Sequence, residues 1–206
     1  MADVGCRLVF IGFESINEDT LRDLNKRETI EQIKSAIKIF HKYGISIHGM
    51  FLYGSDEDDS SIFNQTIKFC RKNMIEFGQF TAITAYPGTD LSKKVGKSRM
   101  LSNNYELYDG LHVSFKPKKM SEWDVMNGIL RSYKKVFSWW KISKQMIRDF
   151  FYLFKIRSRT FKYRIYRMFN DFGRNIGMKI SMKRWKKINE DYLMAIPKYE
   201  HINIKL

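Results

Sequence analysis

Arg7-Leu-Val-Phe-Ile-Gly-Phe13, Ile45-Ser-Ile-His-Gly-Met-Phe-Leu-Tyr53 and Gln79-Phe-Thr-Ala-Ile-Thr-Ala85 are three short runs rich in apolar, β-branched and aromatic residues. Runs of this length and composition are those of strands buried in a parallel sheet. Helical periodicity separates them. A short helix is expected over Glu18–Asn25, and a longer one over Ile30–Tyr43 with Ile30, Ile33, Ile37 and Phe40 on one face. Thr29 and Gln32 have the spacing of a capping box at its start, and Gly44 suits its stop. A third helix is expected over Ser60–Lys72, burying Ile62, Phe63, Ile67 and Cys70, and Tyr86-Pro-Gly-Thr89 reads as a turn. Strand and helix in alternation predict βαβ crossovers and a parallel α/β sheet. Three strands are too few to close a barrel, so the sheet is expected to be part of a larger one.

Beyond residue 90 the pattern changes. Residues 91–119 read mostly as loop. Ser121 caps a predicted helix with Met126, Ile129, Leu130, Tyr133 and Phe137 at helical spacing, and Asp124 is favourable in its first turn. Trp139 to Lys187 interleaves aromatic and aliphatic residues with Lys and Arg, which predicts amphipathic helix broken near Gly173 and Gly177.

Composition narrows the function classes. The 206 residues are 44% apolar and 15% aromatic, the make-up of a packed chain rather than a disordered one. No apolar run approaches the eighteen or so residues that cross a bilayer. Only Cys6 and Cys70 occur, so no disulfide framework is readable and a reducing cytoplasm is the default expectation. The formal charge of +15 is uneven: from Lys141 onward there are 17 Lys/Arg against 5 Asp/Glu, whereas residues 1–140 hold 20 against 17. Anionic partners therefore belong at the tail.

In parallel β/α folds, ligands gather at the carboxy ends of strands. Here those ends are Phe13-Glu14-Ser15, Tyr53-Gly-Ser-Asp-Glu57 and Ala85-Tyr-Pro-Gly88. A carboxylate at Glu14 suits a ribose or an amine, and a glycine at 54 suits close backbone approach. His41, His48, His112 and His201 lack metal-ligand spacing. Asp56-Glu-Asp-Asp59 lacks the glycine and distal glutamate of a calcium loop and reads as a solvated helix start. Phosphate-loop, nucleophile-elbow and His-Glu-x-x-His motifs are absent from the sequence.

Four landmarks occur in order: Gly12-Phe-Glu-Ser15, Leu24-Asn-Lys-Arg-x-Thr29, Gly44 through Met50 to Gly54, and Ala85-Tyr-Pro-Gly-Thr-Asp90. Together they resemble radical S-adenosylmethionine enzymes, most closely the subgroup with an amino-terminal cobalamin-binding domain. The resemblance spans roughly residues 5–140 and extends to Tyr108-Asp-Gly-Leu-His112 and Lys116-Pro-Lys-Lys-Met-Ser121. It implies a partial (β/α) barrel, these strands being its fourth, fifth and sixth. Glu14 and Ser15 would contact the ribose and amino-acid end of S-adenosylmethionine, and Lys26 its carboxylate, a charge-assisted pairing. Met50, Leu52 and Gly54 would pack by the adenine, with Met50 in place of the more usual small or polar residue. Glu57 fits the family's acid after that strand, and Thr84 and Ala85 would present backbone groups to the adenine edge.

The family's chemistry also needs a Cys-x-x-x-Cys-x-x-Cys loop that holds a [4Fe-4S] cluster. That loop, the glycine-rich second-strand motif and the cobalamin domain have no counterpart in this sequence. Met1 falls just before the strand matching the family's fourth, as expected of an internal start or an interrupted reading frame, and a separate amino-terminal fragment is a conceivable partner. The expected organisation is a half-barrel over 1–100, a post-barrel loop and helix over 101–140, and a basic aromatic helical extension over 141–206. The expected function is that of an enzyme fragment, inactive alone, whose full-length relatives methylate or otherwise modify C–H bonds of small-molecule or lipid-like substrates. The alternative is a non-catalytic module that uses its basic helices. Those helices, with Arg157, Arg159, Lys162, Arg164 and Arg167 among aromatic residues, have three readings: an anionic membrane at the inner surface, nucleic acid (the less expected), or aromatics packed on the barrel with the charges solvated.

Overall fold

The computed structural model describes residues 1–155 and 160–196; Arg157, Arg159 and His201 lie outside them. Strands β1 (Leu8–Glu14), β2 (Ser46–Tyr53) and β3 (Phe77–Ala82) form one parallel sheet in the order β1-β2-β3. The expected α/β class holds. The helices are α1 (Glu18–Asp23), α2 (Ile30–Lys42), α3 (Ser61–Lys72), α4 (Asp90–Val95), α5 (Glu122–Val136), α6 (Trp139–Lys155), α7 (Phe161–Ile188) and α8 (Glu190–Ala195).

Local chemistry sets several boundaries. Thr29 Oγ1 accepts the Gln32 N–H while the Gln32 side chain accepts the Thr29 N–H, and Ser121 and Asp124 form the same reciprocal cap on α5. Gly44, at φ 68°, ends the α2 turn where a side chain would be strained. β3 starts and stops earlier than its apolar run suggests. Ile83 still donates to the Tyr53 carbonyl at 2.8 Å, but Ile83 and Ala85 then leave the sheet to pack with Val95 and Phe115.

One face of the sheet is covered. Phe13 and Phe51 meet Phe69 of α3, Tyr53 meets Phe63 of α3, and Phe80 meets Tyr133 of α5. Helices α3 and α5 touch so closely at Gly128 that a Cβ there would lie 2.2 Å from the Phe63 ring. The opposite face carries Phe10, His48, Met50, Leu52, Gln79 and Thr81, and it is partly open. Phe10 stacks on His48 at 4.6 Å yet stays 62% exposed. β1 has no strand partner on its outer edge among the described residues.

The carboxy-terminal helices differ from expectation in two ways. α7 runs unbroken through Gly173 and Gly177. An interior glycine costs about 1 kcal/mol, and the cost is offset by tertiary contacts from Arg167, Asp171 and Asn175, all buried. The second difference is orientation: the polar residues of α6 and α7 face the sheet. Glu76, fully buried just before β3, accepts from Arg148 at 2.8 Å, Arg167 at 3.0 Å and the Ile47 N–H at 2.9 Å, with His41 at 3.2 Å. Lys141 donates to the Glu76 carbonyl, to Gln145 at 2.7 Å and to Asn175 at 3.2 Å. Ser46 accepts from Arg167 and donates to Asp171, both at 2.9 Å. α8 and its cap then return to the segment before α5 and its first residue: Asn189 meets the His112 ring, and Tyr192 meets Val113 and Glu122.

Burial alone would push the Glu76 carboxyl up, but Arg148, His41 and Arg167 outweigh it and hold the group far below the usual carboxylate range. Its folded pKa is thus below its unfolded value of about 4.3, so its stabilisation is complete above that pH and fades as acid is added. Glu76→Gln leaves two buried guanidiniums short of a counter-charge. Its expected cost is about 3–5 kcal/mol in urea unfolding at neutral pH, shrinking below about pH 4. An unchanged midpoint at neutral pH would show that the cluster does not hold the fold.

Candidate functional site

The carboxy end of β1 is bent by a bulge. Gly12 pairs with Met50, but Glu14 rather than Phe13 pairs with Phe51. Glu14 takes φ 60°, and the Ser15 N–H folds back onto the Phe13 carbonyl at 2.7 Å. A side chain other than glycine pays about 1–3 kcal/mol for such a backbone, and bulges of this kind re-aim side chains beside functional sites. The effect here is to lay the Glu14 carboxylate over Gly12, where a Cβ would lie 2.4 Å from Glu14 Oε1. A larger residue at position 12 would displace the carboxylate from this position.

Lys26 completes the group. Its Nζ lies 3.5 Å from Glu14 Oε1 and donates to the Gly12 carbonyl at 3.3 Å, with both side chains partly exposed. Lys26 also lines an open depression of about 530 Å³ with Arg22, Asn25 and Arg27. The site therefore offers an acceptor and a cation side by side, next to a hollow of mixed charge that Glu18 and Glu28 also line.

The other predicted residues divide. Ser15 is buried, and its hydroxyl accepts the Asn17 N–H at 3.0 Å. Met50 is half-buried on the open sheet face, while Leu52 packs against the small cluster of Ile83, Ala85, Val95 and Phe115. Gly54 needs glycine for its φ of 95°, and a Cβ there would make ordinary contacts with Pro117 and Val125. Glu57 is surface-placed and pairs with Lys119 at 3.4 Å. Thr84 bonds back to the Ala82 carbonyl at 3.4 Å, and the Ala85 N–H is taken by Ser114 Oγ at 3.2 Å.

The acidic run after Gly54 is only in part the solvated helix start that its composition suggests: Asp59 is exposed and accepts the Ser61 N–H at 2.8 Å at the start of α3, but Asp56 and Asp58 are buried. Asp56 is buried and gripped by both terminal nitrogens of Arg99, with Nη1 at 2.9 Å, and it accepts the Lys118 N–H at 3.1 Å. Burial would raise its pKa, but these donors lower it. Asp58 is fully buried, accepting from Thr20 at 2.6 Å and Asn17 at 3.2 Å. Burial outweighs those bonds and pushes its carboxyl up. Both acids thus tie the loop after β2 to its surroundings: Asp58 to α1 and its cap, Asp56 to the segment before α5. Their partners lie 38 to 62 residues away, so no local signal marked them.

The thiols do not fit an iron–sulfur cluster. Cys70 is buried on α3 and its pKa is pushed up to about 12, which disfavours the thiolate a cluster needs. Cys6 precedes β1, at the end of the strand away from Glu14. No group of three metal-ligating side chains occurs among the described residues.

Residues 1–70 match the family described as the radical SAM superfamily. Bacteriochlorophyllide d C-12(1)-methyltransferase of Chlorobaculum tepidum is 33% identical over 143 residues, covering 69% of this chain and 31% of that protein. The C-8(2)-methyltransferase of the same organism is 30% identical over 145 residues, 69% of this chain and 32% of that protein. Anaerobic magnesium-protoporphyrin IX monomethyl ester cyclase of Rubrivivax gelatinosus is 25% identical over 129 residues, 63% of this chain and 23% of that protein. The chain spans about a third of the length of the two methyltransferases. With the parallel βα unit and its ordered landmarks, these matches make the chain a member of the radical SAM superfamily, represented here in part.

Proposed function

We propose that these residues are the S-adenosylmethionine-contacting, carboxy-terminal half of a partial (β/α) barrel, whose cluster-bearing half comes from polypeptide outside this sequence. The observation that carries the reading is the Glu14–Lys26 pair, aimed by the bulge at the mouth of β1. A carboxylate beside an ammonium matches the ammonium and carboxylate of an amino-acid ligand, and charge-assisted bonds of this type are the strong ones. The outer edge of β1, without a strand partner among the described residues, and the exposed Phe10 support a further half, since more of the barrel would pair with the one and cover the other. Ser15, Gly54, Thr84 and Ala85 serve by shaping the loops behind the ligand, because their polar groups or space are already engaged.

The complete enzyme would transfer a methyl group to carbon, or make a related C–H modification, on a small-molecule or lipid-like substrate. The names of the two methyltransferases favour methyl transfer, and their bacteriochlorophyllide substrates favour a flat, largely apolar acceptor. The [4Fe-4S] cluster and cobalamin are parts of that larger protein. Among the described residues no three His, Cys, Asp or Glu side chains are grouped to hold the cluster.

Two measurements test this. In equilibrium dialysis with radiolabelled S-adenosylmethionine, the chain binds saturably and Glu14→Gln weakens binding about tenfold or more, the effect of losing one charge-assisted bond. No saturable binding, or equal binding by the variant, would contradict it. In anaerobic reconstitution with iron and sulfide, the chain should retain no stoichiometric cluster; a retained cluster would show that the thiolates are not supplied from elsewhere.

A further inference from the structure

α6 is an inside-out helix. Its polar residues Lys141, Gln145 and Asp149 are buried, fixed directly or through Arg148 to Glu76 and α7. Its opposite face turns Trp139, Trp140, Ile147, Phe150, Phe151 and Phe154 to solvent, each between 51% and 66% exposed. A helix of a water-soluble protein places these residues the other way round. The order is enforced, because reversing it would strip Glu76 of Arg148 and Lys141. The aromatic face also cannot be relieved by rotation of the helix.

At roughly 200 Å² per large side chain, these six residues expose roughly 700 Å² of mostly apolar surface, more than the largest patch of a typical monomer. The stripe spans about four turns. Its surroundings are cationic. Lys144 and Arg71 lie over the Trp140 ring at 4.1 and 5.6 Å, and Lys179 lies over the Trp139 ring at 5.0 Å. No helix among the described residues is long and apolar enough to cross a membrane.

We propose that the solvent-facing side of α6 is a membrane-docking face that lies in the interface of an anionic bilayer. Trp and Phe enter the headgroup and acyl boundary, while the flanking Lys and Arg meet lipid phosphates. Charge complementarity selects this occupant: the apolar stripe supplies the depth and its cationic border the preference for anionic lipid. The face would bring an enzyme for an apolar substrate to the surface where such a substrate resides. The proposal stands independently of the S-adenosylmethionine reading, because it uses none of the residues near Glu14.

The test uses the full chain and vesicles of phosphatidylcholine alone or mixed equally with phosphatidylglycerol, read by co-sedimentation. The chain is expected to bind the mixed vesicles well above the neutral ones, less so at high salt. Phe151→Ser with Phe154→Ser should weaken this binding about tenfold or more, and the paired change to Leu should keep it. Both residues are exposed, so the far-ultraviolet circular dichroism should not change. Failure to bind mixed vesicles, or serine variants that bind equally well, would overturn the proposal. So would a stable dimer that the serine changes dissociate without any vesicle binding, which would give the face to a second copy. RNA binding lost through the same serine changes, with none to vesicles, would overturn it too.

Discussion

A single buried carboxylate organises the carboxy-terminal third of this protein. Glu76 sits at the amino end of β3 with no access to water, and it draws an imidazole from α2 and a guanidinium from each of α6 and α7. A charge so placed is tolerable only when paired and fully hydrogen-bonded. Satisfying it fixes the rotation of two long helices. Lys141, whose pKa burial lowers to about 8 although Glu76 opposes this, adds a bond to the Glu76 backbone and links it to Asn175. The basic extension is thereby part of the same body as the sheet rather than an appendage.

This arrangement closes the amino ends of the strands, and a different set of contacts forms the loops at their carboxy ends. The bulge at Gly12–Glu14, the glycine turn at 54 and the buried acids 56 and 58 shape the loops there. The two ends use charge differently. At the amino end acids and bases are sealed together and support the fold, whereas Glu14 and Lys26 meet at a partly solvated rim.

Much of the βα unit was legible because its signals are local. The caps at Thr29 and Ser121 act over three residues, and the alternation of strand and helix sets the sheet order. Lys26 and Glu14, each given a ligand contact by family resemblance, lie 3.5 Å apart. What escaped the sequence depends on distance along the chain. Glu76 finds Arg148 and Arg167 at separations of 72 and 91 residues, and Asp56 finds Arg99 across 43. The periodicity of α6 disclosed two faces but not which one turns inward; the usual preference for apolar burial pointed the wrong way. The same contacts carried α7 past the two glycines that local propensity reads as a break.

The most direct test of this account is native-state amide hydrogen exchange, with α6 and α7 compared against β2 and β3. If the Glu76 cluster makes them one cooperative unit, the slowest amides of Ile142–Leu153 and Arg167–Met182 open only with the global unfolding that exposes Ile47 and Phe80. If those helices exchange at a much lower free energy while the sheet stays protected, the extension is an independent appendage and the central claim fails.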